Sequence, residues 1–485
     1  MWSPDLAGRP GPRYRAIADA LADDVVSGCL AAGERLPTHR ELAHRLQVTV
    51  GTVSRAYAEA ERRGLIAATV GRGTFVRDSE AGPPAGTRSL PEVATAWRLP
   101  TDAGGPWSQR PANAEDERLD LSLNYPVPAP VGEALLEGLR GMQDAALLGT
   151  IGGYQPANGI RAHREAGVAW LRHLGVLADA EEILVVPGCQ GGLSVCFLAL
   201  CRPGDVVLHE DLTWPGFHAT AASLGVRTKG LAMDENGLLP DALEAACRDD
   251  HPKLLYTMPT LHNPTAVVMP EDRRRAVAAI AARHGLIVVE DDVYGFLLDA
   301  PPPSIRTLLP DLCIYVTSLS KAVAPGLRIG WLAAPVALVP RLAAAIRTSM
   351  LMTSSVAAEL ATRTIATGSA ARAATAQRSE TQARQRLAAE KLAGFDFRSH
   401  PSAFHGWLAV PPPWQCDDFC SALQARGVVV TPGTAFAGAG RTCPEAELRV
   451  RLCLCAIADR QRLALALDLV AEVAQGGAPS RLPVV

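Results

Sequence analysis

Lys321 stands in the run Ser318-Leu-Ser-Lys321-Ala-Val-Ala-Pro-Gly-Leu-Arg328 and is one of only four lysines in 485 residues. A primary amine set between hydroxyls and a guanidinium can condense with an aldehyde cofactor as an imine, while its neighbours hold a phosphate. Lys229 and Lys253 fall near turns, and Lys391 lies in a charged helical run. Ser318-Leu-Ser-Lys321 also fits the Ser-x-x-Lys of penicillin-binding enzymes. Those enzymes need Lys-Thr-Gly as well, and no lysine here precedes a threonine. A solvated loop lysine has the same local sequence, so the partners decide.

An aldehyde on a phosphorylated pyridine ring needs a carboxylate for the ring nitrogen, donors for the ring oxygen, an aromatic face and a phosphate cradle. Val288-Val-Glu290-Asp291-Asp292-Val-Tyr294 ends an apolar run with carboxylates, which makes Asp291 the candidate for the nitrogen and Tyr294 for the oxygen. Asn263, in His262-Asn263-Pro264-Thr265, is a second donor to that oxygen. Trp214 offers a face for stacking. Val185-Val-Pro187-Gly188-Cys189-Gln190 reads as strand, glycine turn and helix start, where backbone N–H groups bind phosphate. Tyr154 sits on a glycine-rich loop, and Arg451 can clamp a carboxylate, with Arg449 competing for that role. Each segment has an ordinary structural reading too: a strand-end acid, an Asn-Pro turn, a core aromatic, a surface arginine. Asn124-Tyr125-Pro126 and His405-Gly-Trp407 are further candidates for the wall of a pocket.

These residues need a scaffold. After Asp120, short apolar runs (183–187, 206–209, 254–258, 286–290 and 313–317) alternate with Ala-rich helical runs, the pattern of an α/β fold with a mainly parallel sheet. Residues 343–393 read as helical throughout. Upstream, 14–27 has helical spacing, Thr38 can cap a helix 40–46, and Thr49 can cap a third helix through Arg63 with Val53, Tyr57 and Ala60 facing inward. Residues 65–76 read as a hairpin with Gly71-Arg72-Gly73 at its tip. Helix, helix, turn, helix and β-wing is a winged helix-turn-helix, whose third helix fits a DNA major groove. Between the two regions, Ala81-Gly-Pro-Pro-Ala-Gly86 and Asp102-Ala-Gly-Gly-Pro-Trp107 carry no apolar periodicity and read as a flexible tether. The expected division is 10–77, linker 78–117, and 118–478.

Composition narrows the setting. The net charge is −3, yet the first 77 residues hold 11 Arg against 8 acidic residues and no Lys. Of eleven cysteines, Cys189, Cys196, Cys201 and Cys313 sit in apolar or glycine-rich runs, as structural thiols do, and the pairs Cys416/Cys420 and Cys453/Cys455 lack zinc-site spacing. No metal site is expected. No membrane-length apolar stretch or signal-like start is visible, so a cytoplasmic location is expected.

The upstream motifs Ala32-Gly33-Glu-Arg35-Leu-Pro37-Thr38-His-Arg40-Glu-Leu-Ala43, Thr52-Val-Ser-Arg55-Ala-Tyr57 and Gly71-Arg-Gly73-Thr-Phe-Val76 resemble the GntR-type winged helix. The resemblance implies that Arg35, Arg40, Thr49, Thr52 and Arg55 face double-stranded operator DNA, with Arg72 and Gly73 at the minor groove. Val50 departs from it, standing where the family often has Arg. Residues 118–475 resemble fold-type I aminotransferases, which implies pyridoxal 5'-phosphate at Lys321. In that pattern Asp291 meets the pyridinium, Asn263 and Tyr294 the ring oxygen, and Trp214 the ring face. Gly188, Cys189, Gln190, Ser318 and Arg328 cradle the phosphate, Tyr154 reaches it across a dimer interface, and Arg451 takes the substrate carboxylate. Trp214 and Cys189 depart from the usual Tyr and Ala or Ser.

The whole chain looks like the MocR subfamily of regulators. That resemblance implies a domain-swapped homodimer that senses an amine or amino acid effector through the cofactor. Direct sensing of pyridoxal phosphate in control of vitamin B6 genes, or an active aminotransferase, would use the same residues.

Overall fold

Helical periodicity governs the N-terminal region, and its elements close on one apolar seam. The computed structural model describes Trp2, Pro4, Leu6 and residues 13–26, 29–31, 33–62, 65–69, 73–76, 118–438 and 443–476. Helix α1 (Arg13–Val26) buries Ile17 and Leu21 against helix α3 (Val50–Arg62), which buries Val53, Ala56, Tyr57 and Ala60. Helix α2 (His39–Leu46) starts as expected at Thr38. The Glu41 N–H donates to the Thr38 hydroxyl and the Thr38 N–H donates back to Glu41 at 2.8 Å, so two end donors are satisfied reciprocally. The Tyr57 hydroxyl donates to Pro37 O at 2.9 Å and ties α3 to the turn before α2. Strands β1 (Ile66–Thr69) and β2 (Gly73–Val76) pair antiparallel. Arg72 and the 78–117 segment lie outside the described residues.

Downstream, the apolar runs become a seven-stranded sheet: β3 (Ile183–Val186), β4 (Val206–Glu210), β5 (Arg227–Leu231), β6 (Leu254–Thr257), β7 (Ile287–Asp291), β8 (Cys313–Ser318) and β9 (Gly330–Ala333), in the order β3-β9-β8-β7-β6-β4-β5. β9 runs antiparallel to both its neighbours and the remaining pairs are parallel, so the sheet is mixed. β9 follows the Lys321 loop closely enough to return beside β8, and four fully buried residues give it no face alternation to read. Helix α4 (Gly188–Leu200) lies on the sheet, with Gly192 against Leu332 and Val316.

The expectation of unbroken helix over 343–393 is corrected. Three helices cover it: α5 (Val339–Met350), α6 (Ser355–Ala366) and α7 (Ser369–Lys391). Leu351 (φ 65°) leaves the helical region, and Ser354 caps the next start. Gly368 (φ 76°) makes the second break in a left-handed conformation that glycine adopts without Cβ strain.

A second layer, β10 (Phe397–Ser399), β11 (His405–Ala409), β12 (Thr431–Pro432) and β13 (Arg449–Cys453), forms a sheet of order β10-β11-β13-β12. It builds its own core from Leu408, Phe419, Val450, Leu452 and Leu467. By contact density the chain divides into two units, Met1–Arg98 and Leu99–Val485. Among the described residues, no helix is long and apolar enough to cross a membrane, and no cluster of side chains could hold a metal ion.

Candidate functional site

Strand ends converge on one cavity of about 140 Å³, as the open edge of an α/β sheet does. Cys189, Gln190, Trp214, Asn263, Asp291, Tyr294, Ser318, Lys321, Arg328 and Arg451 all line it, although 262 positions separate the first from the last. Gly188 is not among the lining residues but packs against one of them: a Cβ there would stand 3.0 Å from Arg328 Nη2, and its φ of 77° also favours glycine. Tyr154 does not line the cavity of its own chain and is 86 % exposed. Arg449 is engaged elsewhere, by Asp396 and Glu445.

Burial sets the electrostatics. Lys321 donates through Nζ to the backbone carbonyl of Asn124. Desolvation pushes its amine down to about 8, with Arg451 adding in the same direction, so a useful fraction is neutral near neutral pH. Asp291 is pushed up to about 6 by burial, against the hydrogen bond that Tyr256 donates to Oδ2 at 2.8 Å. Its other oxygen, Oδ1, is buried without a well-formed hydrogen bond. Such a carboxylate is costly unless something donates to it.

Arg451 is fully buried beneath the cavity. Nη1 donates to Asn263 Oδ1 at 2.8 Å, Nη2 donates to Ser122 O at 2.5 Å, and the guanidinium lies 4.7 Å from the Phe436 ring centre. Asn263 is thereby oriented with its carbonyl toward Arg451. At the opposite end, helix α4 begins without a side-chain cap, and its Cys189 and Gln190 line the cavity together with Ser318 and Arg328.

Some of the site was not read from the sequence, both behind the cavity wall and in it. Tyr256 lies inside an apolar strand and reads as core; only the folded sheet brings it to Asp291. Ser320, Met258 and Pro325 line the cavity itself, whereas Tyr256 stands behind Asp291. Asn124, flagged as a possible wall residue, does line it. Its amide nitrogen lies 2.9 Å from Tyr294 Oη and 3.0 Å from His405 Nδ1. His405 stands behind Asn124, its Nε2 3.0 Å from His262 O, and burial pushes its pKa down to about 3. A neutral ring that donates from Nε2 therefore accepts at Nδ1. Trp407 belongs to a separate cavity of about 610 Å³ with Asp234, Arg398 and Cys443.

The residues fit pyridoxal phosphate. Asp291 Oδ1 has no well-formed hydrogen bond and can accept from a ring N–H, and the α4 start has no side-chain cap and shares the cavity lining with Ser318 and Arg328, a donor set that suits a phosphate.

In the first unit, Arg35, Arg40, Thr49 and Arg55 are exposed and Thr52 is half-buried. The hydroxyls of Thr49 and Thr52 pair at 2.9 Å. Arg35 lies over the wing, its Nε 2.8 Å from where a Cβ on Gly73 would stand.

Fold and cavity together define a helix-turn-helix protein with an aminotransferase-like domain. The aminotransferase class I and II family matches residues 119–468, and the gntR family of bacterial regulatory proteins matches 13–76. YdeF of Bacillus subtilis, an uncharacterized HTH-type transcriptional regulator, is 29% identical over 452 residues, 93% of this chain and 92% of its own. YjiR of Escherichia coli, named likewise, is 32% identical over 331 residues, 66% and 69% of the two chains. The crystal structure of Pyrococcus horikoshii kynurenine aminotransferase, 23% identical, superposes with a TM-score of 0.68 over 81% of this chain and 95% of that one. The chain belongs to the MocR-type GntR regulators: it is a transcription regulator with a DNA-binding winged helix and an aminotransferase class I/II domain whose cofactor is pyridoxal phosphate.

Proposed function

We propose that this regulator reads a small amine or amino acid through pyridoxal phosphate held at Lys321 and converts that occupancy into altered operator affinity. One observation carries the reading: Lys321, Asp291 and Arg451 line a single cavity. When bound, the cofactor supplies an aldehyde carbon that can exchange one amine for another. Lys321 holds it through a nitrogen already biased toward the neutral form. Asp291 accepts from the ring nitrogen, Tyr294 and the Asn263 amide hold the ring oxygen, and Trp214 covers the ring. Gly188, Cys189 and Gln190 hold the phosphate through backbone N–H groups, with Ser318 and Arg328 beside them. Arg451 receives the effector's carboxylate, because its buried guanidinium can pair bidentately.

Tyr154 serves a second copy's cavity in a domain-swapped homodimer. Its exposure supports this, as does that of Leu136, Leu139, Leu148 and Val356, apolar side chains that a partner would cover. Arg35, Arg40, Thr49, Thr52 and Arg55 contact the operator, with Arg72 and Gly73 toward the minor groove. We place the DNA-binding region at 10–77, the linker at 78–117 and the sensing domain at 118–478. A protein that reads operators works in the cytoplasm of a bacterium.

The test is binding to the adjacent intergenic DNA, with and without pyridoxal phosphate and candidate amines, for the wild type and Lys321→Ala. Amines should shift affinity only in the cofactor-loaded wild type, and Lys321→Ala should lose both the shift and the visible band of the bound cofactor. Amines that alter the cofactor spectrum but never DNA affinity would sink the coupling. A response to cofactor alone would mark a sensor of vitamin B6 supply. Sustained turnover of an amino acid with a 2-oxo acid would mark an enzyme.

A further inference from the structure

Val50 opens helix α3 with 45% of its surface exposed, the one exposed large hydrophobic among the described residues of the first unit. Its setting is otherwise polar or small. The inner face of α3 takes Val53, Ala56, Tyr57 and Ala60, leaving Val50, Gly51, Arg55 and Ala58 outside. A Cβ on Gly51 would meet nothing nearer than Thr49 Oγ1 at 3.8 Å, so open space surrounds the helix start.

The isopropyl group stands outside the apolar cluster of this unit and leaves nearly half its residue's surface in water. The helix that follows the turn of a helix-turn-helix lies in the major groove, and its N-terminal residues meet base edges. Only one base edge there presents an apolar group: thymine, through its C5 methyl. The neighbouring hydroxyls are already engaged. Thr49 Oγ1 pairs with Thr52 Oγ1 and accepts from the Thr52 N–H at 3.2 Å, so the pair offers one remaining hydroxyl proton beside its two methyl groups.

We propose that Val50 is a specificity-determining residue that reads a thymine methyl in each half-site, with the methyl groups of Thr49 and Thr52 beside it. The small outer side chains of Gly51 and Ala58 let α3 approach the groove floor closely enough for that contact. Arg55, a turn further on, serves a phosphate or a guanine edge and sets register rather than the thymine preference.

The test uses the full-length protein and a library of randomised duplexes. The wild type should enrich sequences with an invariant thymine at one position per half-site. In the enriched duplex, replacing that thymine by deoxyuridine removes only the methyl and should weaken binding about fourfold. Val50→Ser, at an exposed site, should keep the wild-type melting temperature and lose both the thymine requirement and the sensitivity to deoxyuridine. Equal affinity of the wild type for the thymine and deoxyuridine duplexes would overturn the assignment. So would a Val50→Ser protein that still discriminates between them. A wild type that enriches no sequence would overturn sequence reading by α3 altogether, and this assignment with it.

Discussion

Lys321 is an amine whose reactivity is set by where it is buried. Desolvation lowers its pKa to about 8, so the neutral form that attacks an aldehyde gains weight as pH rises through that value. The rate of appearance of the visible band of lysine-bound cofactor should therefore rise with pH around a midpoint near 8. A solvated lysine would place the midpoint above 10, near its ordinary value of 10.5. Asp291 is the complementary case. One oxygen is held by Tyr256 and the other has no well-formed hydrogen bond. Asp291→Asn removes the charge that a protonated ring nitrogen needs, and should weaken cofactor binding by roughly two orders of magnitude, in line with the loss of one partner of a buried pair. Equilibrium dialysis of the cofactor would read it, and an unchanged affinity would remove Asp291 from the site.

At the scale of elements, the cradle depends on how closely β8, β9 and the start of α4 approach. A Cβ on Gly330, the first residue of β9, would stand 2.5 Å from Thr317 O and 3.2 Å from Gly188 Cα. Neither atom belongs to a side chain that can swing away. Gly330→Ala should therefore cost about 1–3 kcal/mol in denaturant melts. It should also loosen the grip on the phosphate, measured as faster cofactor loss on dilution. Helix α7 shows a second kind of junction. Arg384 is fully buried and donates to Leu454 O and Ala458 O at 2.8 and 2.6 Å while pairing with Glu380 at 2.8 Å. One side chain thus satisfies the loop that follows β13.

Across the whole molecule, buried titratable groups pull stability in opposite directions with pH. His405 and His262 are pushed down to about 3 and 4 by burial, from an ordinary 6.5. The unfolded chain binds protons on them below 6.5 and the folded chain does not, so their contribution is present above 6.5 and fades as pH falls toward 4. Glu210, raised to about 7 by burial from an ordinary 4.5, opposes this: its contribution is present below 4.5 and fades as pH rises through 7. The clean reading is a difference. The stability gap between wild type and His405→Gln should shrink from pH 7 to pH 5 in urea melts, and a constant gap would mean that His405 is not held neutral. Charge is also unevenly shared, with a net −3 over the chain and a surplus of arginines in its first 77 residues. Operator affinity should thus fall steeply with salt, and Arg40→Gln should flatten the slope of log affinity against log salt by about one per arm if Arg40 meets a phosphate.

Local chemistry was enough to name many of the residues that line the cavity. Lys321 stood out because lysines are scarce and its neighbours are hydroxyls and arginine. Thr38 announced a helix start, and the apolar runs announced strands, because capping and strand formation act within a few residues. Contacts across the chain were beyond such reading. Tyr256 looks like core until β6 and β7 pair and bring its hydroxyl to Asp291. The antiparallel β9 carries no alternation because both its faces are buried, and Asn124 gains its place only when His405, from another sheet, stands behind it. Sequence alone determined which groups can do the chemistry, since reactivity belongs to residue types and their near neighbours. Tertiary structure decided their distances, their desolvation and their partners, because each of these is set by residues that lie far apart in the chain and meet only in the packed fold.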